Sequence, residues 1–255
     1  MLNVRQLERR YAVDQFDCPS DIELPSLPGS AKGRRNGPAI RPLRGAPEGV
    51  TGVDAVLKRA FDIVFALSFL IVTLPFIVVL AIALQIDSPG KLLFVQPRVG
   101  RHGRMFRCIK FRTMHEDAEQ LLAELLATCL ASRREWEADH KLREDPRVSR
   151  LGKFVRKLSL DELPQLINIL SGEMSVVGPR PIVQAEIPKY GSFFIDYCAV
   201  KPGLTGLWQV SGRNDVSYGE RVQLDRQYRM RVSFLFDLGI VLRTVPAVIG
   251  AKGCY

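Results

Sequence analysis

The chain has 255 residues, enough for one domain of ordinary size plus an appendage. Its formal net charge of +9 suits an anionic membrane surface, phosphate-bearing substrates or nucleic acid. Five scattered cysteines (Cys18, Cys108, Cys129, Cys198, Cys254) form no C-x-x-C, and His102, His115 and His140 have no metal-ligand spacing. A disulfide framework and a zinc site are therefore not expected, and a reducing compartment is.

Residues 1–50 mix charges with turn-formers such as Pro25, Pro28, Gly29, Pro38 and Pro47 and carry no sustained apolar period. Such a stretch cannot bury enough surface to offset its ordering entropy, which predicts a disordered N-terminal arm. Its basic cluster (Lys32, Arg34, Arg35, Arg41, Arg44) could touch anionic headgroups, but a solvated linker is the favoured reading for most of it. No apolar stretch in it resembles a secretory signal.

The membrane signal follows. Ile63 to Ile86 is a run of 24 positions without a charge, roughly 36 Å as a helix and long enough for a bilayer core. Leu74-Pro75 falls near its middle, where proline removes a backbone hydrogen bond and kinks a helix. Lys58 and Arg59 precede the run, and Lys91, Arg98, Arg101 and Arg104 follow it. Positive residues at both ends place both flanks in the cytoplasm. A Pro-kinked re-entrant helix over 51–90 satisfies both observations; a simple span and a buried soluble helix are the competing readings.

Beyond the anchor, Leu92-Leu93-Phe94-Val95 and Met105 to Ile109, separated by Gly100 and Gly103, predict a short β-hairpin. Ala118 to Ala138 has helical spacing in Leu121, Leu122, Leu125 and Cys129. A helix is expected from Glu162 to about Leu170, ending at Ser171-Gly172, and Lys201 to Gly206 reads as a loop. Tyr218 to Tyr228 is a polar helix. Phe234 to Ile249 is apolar but interrupted by Asp237 and Arg243, which suits an interfacial or packed helix better than a span. The fold class expected is α+β, mainly helical: a small membrane-associated domain with the kinked anchor and the hairpin. The divisions are 1–50, 51–90 and a cytoplasmic catalytic domain over 91–255.

The chemistry concentrates at Ser159-Leu160-Asp161-Glu162-Leu163-Pro164-Gln165. Pro164 belongs in a first turn, which puts Asp161 at or near an N-cap beside free N–H groups. Ser159 and Glu162 also match a capping box, and locally that is the favoured reading. The surrounding cations reverse it. Arg180 is held between Pro179 and Pro181; Lys110 and Arg112 flank Phe111 as on one face of a strand; Arg156 and Lys157 precede the acidic pair; Arg213 follows Gly212. Singly, each is a solvated charge. Together with two carboxylates they describe a site for a metal-bound diphosphate. No P-loop or G-x-G-x-x-G is present, so the common ATP and dinucleotide folds are excluded at motif level.

The order Lys58-Arg59…Asp62, Gln96-x-Arg98-x-Gly100, Lys110-Phe-Arg-Thr-Met114, Asp145-Pro-Arg147, Ser159 to Gln165, Gly172 to Pro181, and Lys201 to Asn214 resembles the bacterial sugar transferases. These are the monotopic polyprenyl-phosphate phosphoglycosyl transferases. The resemblance covers about Asp54 to Gly253. From Leu142 to Tyr218 it looks closest to the ExoY-type exopolysaccharide galactose-phosphate transferases. One departure is Arg231-Val232 before Ser233, where many relatives carry Asn-Trp; it bears on the C-terminal membrane contact rather than the active site.

The resemblance implies transfer of a sugar-1-phosphate, galactose-1-phosphate in the ExoY type, from a UDP-sugar to undecaprenyl phosphate, with release of UMP. It implies Asp161 as nucleophile, Glu162 as Mg²⁺ ligand, and Lys110, Arg156, Arg180 and Arg213 on phosphate oxygens. The partners implied are the UDP-sugar, undecaprenyl phosphate and the lipid bilayer, with no nucleic acid and with homo-oligomerisation left open. The implied location is the bacterial inner membrane, with the catalytic domain on its cytoplasmic face. The alternative is a catalytically inactive membrane-anchored regulator or scaffold.

Overall fold

The computed structural model describes residues 50–139, 142, 144–212 and 216–249. The predicted arm with its basic cluster, Arg213, His140, Cys18 and Cys254 lie outside the described residues. α1 (Gly52–Asp87) is followed by a hairpin of β1 (Leu93–Val99) and β2 (Met105–Phe111), then α2 (Ala118–Thr128), α3 (Leu130–Asp139) and α4 (Arg150–Lys157). A single 3-10 turn at Leu160–Glu162 leads to α5 (Gln165–Leu170), β3 (Ser175–Val177), α6 (Ile187–Tyr190) and α7 (Phe194–Ala199). The chain closes with β4 (Gly203–Thr205), α8 (Leu207–Val210), α9 (Tyr218–Arg231) and α10 (Phe234–Ile249). The chain is mainly helical, with one antiparallel hairpin and one long apolar N-terminal helix.

α1 runs unbroken through Pro75 for 36 residues. One side of its middle is exposed, Val72 at 77% and Val79 at 64%. Both of its halves also pack on the rest of the protein. In the first half Ala66 joins the main core with Leu166, Ile169, Met174, Val176 and Tyr228. In the second half Leu80 and Leu84 pack on Phe111, Val155 and Leu163. Arg112 then closes the exit, donating to the carbonyls of Ser88 (2.7 Å) and Pro89 (2.9 Å).

The flanking charges Lys58 and Arg59 turn inward. Lys58 Nζ is buried, paired with Asp237 and donating to Val177 O (3.0 Å) and the Tyr228 hydroxyl (3.1 Å). Arg59 caps the end of α5, donating to the carbonyls of Ile169 (2.7 Å) and Leu170 (2.9 Å). Asp62 accepts from Ser175 Oγ (2.9 Å) and Val176 N (2.8 Å). One helical face thus carries a cation, a guanidinium and a carboxylate to three different elements, because positions three and four apart share a face. Asp237, which interrupts the apolar pattern of α10, is there to receive Lys58. α10 is a packed helix, with Ile240 in the main core.

Three expectations need correction. The helix expected over Ala118–Ala138 is two, broken at Cys129, which is extended (φ −122, ψ 109) and buried. Thr128 Oγ1 donates back to Glu124 O (2.8 Å), competing for the carbonyl of the last turn. The loop expected at Lys201–Gly206 contains β4, paired in parallel with β3. That pairing depends on missing side chains: a Cβ at Gly203 would stand 2.0 Å from Gly178 N. Finally, Lys110 and Arg112 do not share a target. β2 ends at Phe111, so Arg112 bends to the exit of α1 while Lys110 faces the acidic pair.

Removing one member of a buried ion pair strands the other. Lys58→Met is therefore expected to cost about 3–5 kcal/mol of stability in detergent or nanodiscs. Lys58→Met combined with Asp237→Leu should recover much of that loss in the same denaturation experiment. An exposed, dispensable pair would instead leave both melts unchanged.

Candidate active site

After α4, Ser159 adopts a left-handed conformation (φ 58, ψ 23) that reverses the chain into the Leu160–Glu162 turn. Pro164, not Asp161, occupies the N-cap of α5. The expected helix start at Glu162 and the capping box are therefore not formed. Ser159 makes no side-chain cap bond, and the Glu162 N–H goes to the Ser159 carbonyl (3.2 Å). The cations around the pair explain the difference. Lys110 Nζ lies 2.6 Å from Glu162 Oε1 and 3.8 Å from Asp161 Oδ2, and Arg180 Nη1 lies 3.6 Å from Glu162 Oε1. A carboxylate drawn to two charges is not free to cap a helix.

Each cation arrives on a different element. Lys110 comes from β2, beside Cys108 and two residues along the same face. Arg180 comes from the Pro179–Pro181 segment after β3 and is 38% exposed, its head open to the cleft. Arg156, at the end of α4, donates from Nε to the buried Thr113 hydroxyl (2.7 Å), which holds its guanidinium beside Asp161. A small open cleft is lined by Lys110, Glu162, Arg180, Arg98, Cys108, Gln165 and Gln209. Asp161 and Arg156 stand outside that lining, at the turn behind Glu162. Arg98, which the sequence analysis gave no site role, donates to Pro181 O (3.0 Å) and Gln96 Oε1 (2.6 Å). Its signal was its place in the Gln96-x-Arg98-x-Gly100 motif, and Gln165 and Gln209 likewise stood in motifs without an assigned role. Arg213 is outside the described residues.

Burial raises the Asp161 carboxyl to about 6, with neighbouring Glu162 adding to the rise; Lys110, Arg156 and Arg180 oppose it. Burial would also raise Glu162, but Lys110 and Arg180 outweigh it and hold that group below the ordinary carboxylate range. The Cys108 thiol is pushed up by burial, so it stays neutral in the cleft. The arrangement keeps one carboxylate permanently charged and the other poised near neutrality, a division suited to acid–base or nucleophilic work.

Residues 53–251 match the family described as bacterial sugar transferase. This chain belongs to that family. It is 48% identical over 199 residues to the UDP-galactose-lipid carrier transferase of Erwinia amylovora, covering 78% of this chain and 42% of that one. It is 44% identical over 217 residues to the exopolysaccharide production protein ExoY of Sinorhizobium fredii, covering 85% of this chain and 92% of that one. It is 47% identical over 199 residues to the undecaprenyl-phosphate galactose phosphotransferase of Salmonella typhimurium, again 78% and 42%. The chain thus spans less than half of the first and third relatives and nearly all of the second. The resemblance read from the motifs is borne out.

Among the described residues no three His, Cys, Asp or Glu side chains cluster as a metal cage. Asp161 and Glu162 are hard oxygen donors, and Mg²⁺ characteristically takes one or two carboxylates and completes its shell with water and phosphate. The donor set therefore fits a magnesium ion shared with a substrate and does not fit a dedicated protein cage.

The raised Asp161 carboxyl has a sign that can be tested. Its folded-state affinity for the proton exceeds the ordinary value of 3.8, so its contribution to stability is full below about that pH. The contribution is lost as pH rises through about 6. Asp161→Asn, a neutral isostere, should melt above the parent protein at about pH 7.5, and the gap should close as pH falls below about 4. A variant that melts lower at neutral pH would contradict the desolvation account.

Proposed function

We propose that the chain is a phosphoglycosyl transferase that moves a sugar-1-phosphate, galactose-1-phosphate by preference, from a UDP-sugar to undecaprenyl phosphate. The observation that carries the proposal is the convergence of Lys110, Arg156 and Arg180 on a poised carboxylate, Asp161. An Asp161 oxygen attacks the sugar-linked phosphorus of the donor. The bond from that phosphorus to the oxygen bridging to UMP breaks, and UMP leaves with both bonding electrons. A phosphate oxygen of undecaprenyl phosphate then attacks the same phosphorus and expels Asp161, giving the polyprenyl diphosphate-sugar. Carboxylates serve as covalent nucleophiles in phosphoryl chemistry.

The cations divide the work. Arg180, open to the cleft, is placed to hold donor phosphate oxygens in the paired fashion of a guanidinium. Lys110 spans both acids, so it lowers the repulsion between Asp161 and an incoming diphosphate. Arg156 does the same from behind. Arg213 is assigned a phosphate on the motif alone. Glu162 would hold Mg²⁺, which when bound neutralises diphosphate charge and polarises the leaving oxygen.

The lipid acceptor requires a membrane address. Both halves of α1 pack on one globular body, and a single body cannot lie on both sides of a bilayer. That supports an anchor that enters and leaves on the cytoplasmic face of the inner membrane, bent about its exposed middle. With Cys18 and Cys254 replaced, and with Cys108, Cys129 and Cys198 buried, cysteines introduced one at a time at Thr51 and Lys91 should label from the same side in sealed vesicles. Labelling from opposite sides would establish a span.

The reaction is tested by UMP release in nanodiscs containing undecaprenyl phosphate. UDP-galactose should turn over faster than UDP-glucose; a faster glucose or N-acetylated donor would defeat the donor assignment and leave the reaction class standing. Glu162→Gln should lose nearly all turnover, at least about 100-fold, as the amide is a poorer hard-ion ligand. EDTA should silence the parent protein. A parent protein fully active in EDTA would remove the metal role, and one that releases no UMP with any donor would favour an inactive scaffold.

A further inference from the structure

We infer that Asn168 is a positioning residue, whose side-chain amide acts as a third strand on β2 and sets Lys110 against Glu162. The inference concerns the site of the proposed reaction and rests on that reading for its kinetic test alone. β2 pairs with β1 along one edge. Along its other edge stands α5, a short helix with no ladder to offer. Asn168, 2% exposed, fills that gap. Its Oδ1 accepts the Ile109 N–H at 3.1 Å, and its Nδ2 donates to Arg107 O at 2.8 Å. A primary amide carries one acceptor and two donors in a plane, so it can copy the two bonds that a neighbouring peptide would make. Nδ2 also donates to Glu173 Oε2 at 2.6 Å, which fixes the amide's orientation. The two bonds bracket Cys108, whose side chain lines the cleft, and the next residue beyond them is Lys110. Among the described residues no other side chain bonds to the β2 backbone at these positions. The height of Lys110 over the acidic pair is therefore set from α5, six residues beyond Glu162 on the same stretch of chain.

A loosened β2 moves Lys110 away from both acids. Asp161 is then faced by Glu162 from its own turn, by Arg156 from α4 and by Arg180 from the segment after β3, with the cation from β2 withdrawn.

Asn168→Asp keeps the shape and the acceptor but turns Nδ2 into an oxygen facing Arg107 O and Glu173. For this variant kcat should fall about 100-fold, with donor KM changed far less, as expected when a reacting group is misplaced by about 1 Å. Asn168→Ser, shorter and uncharged, serves if the first variant does not fold and should show the same split between kcat and KM. A readout without turnover accompanies both: amide hydrogen exchange at Ile109, whose N–H is bonded to Asn168 Oδ1, should quicken at least about tenfold in either variant. Val222→Ala, a core truncation on α9, controls for lost stability and should leave both kcat and the Ile109 exchange in place. Unchanged kcat or unchanged exchange at Ile109 in a folded Asn168 variant would overturn the inference. An inactive parent protein would overturn the functional reading instead, and the exchange at Ile109 would still decide this one.

Discussion

Two adjacent carboxylates in a half-closed cleft repel each other and resist losing water, so they cannot stay charged there without cations. Lys110 Nζ, in contact with Glu162 and 3.8 Å from Asp161, is the group that makes the pair tenable. One short contact holds Glu162 ionised, and the longer one leaves Asp161 poised. The order of the distances matches the order of the pKa shifts. Most of the small elements around the cleft can be read as devices for delivering charge to that point. The hairpin carries Lys110, α4 carries Arg156, and the β3–β4 pair holds the proline-flanked loop that carries Arg180.

The long apolar helix and the site are built as one piece. Lys58, Arg59 and Asp62 occupy one face of α1 and pin it to α10, to the end of α5 and to β3. At the other end of α1, Arg112 grips the exit carbonyls from just past the end of the strand that carries Lys110. The proposed reaction would bring a lipid substrate within a few ångströms of a soluble donor, and this arrangement leaves little play between the apolar helix and the acidic pair. The polar contacts are buried, where desolvated groups cost most if unpaired. Their cost is tolerable because each is satisfied by at least one close partner.

Much of this was legible in the residues. The long apolar helix, the hairpin, α9 and α10 follow from periodicity and breakers, and the Asp161–Glu162 pair with its cations follows from motif order. What was not legible has physical causes. Three-residue strands such as β3 and β4 have no period to read, and their pairing rests on close backbone approach at Gly178 and Gly203. Lys58 and Arg59 look like membrane-flanking charges because their partners lie more than 100 positions away in the chain. The capping box at Ser159 is a sound local rule that lost to Lys110 and Arg180, a tertiary field that no window of sequence contains. Asn168 carries no signal alone, since a buried amide inside a six-residue helix looks like any other polar residue.

The central claim is that Asp161 forms a bond to the donor phosphorus before any lipid takes part. Intact-protein mass spectrometry, with peptide mapping, tests it on the chain in nanodiscs given UDP-galactose and no undecaprenyl phosphate. The account predicts UMP released in amounts matching the protein, a hexose-phosphate adduct on Asp161, and loss of that adduct when undecaprenyl phosphate is added. UMP release that strictly requires the lipid, with no adduct trapped at any time, would contradict it and point to direct transfer between the two substrates.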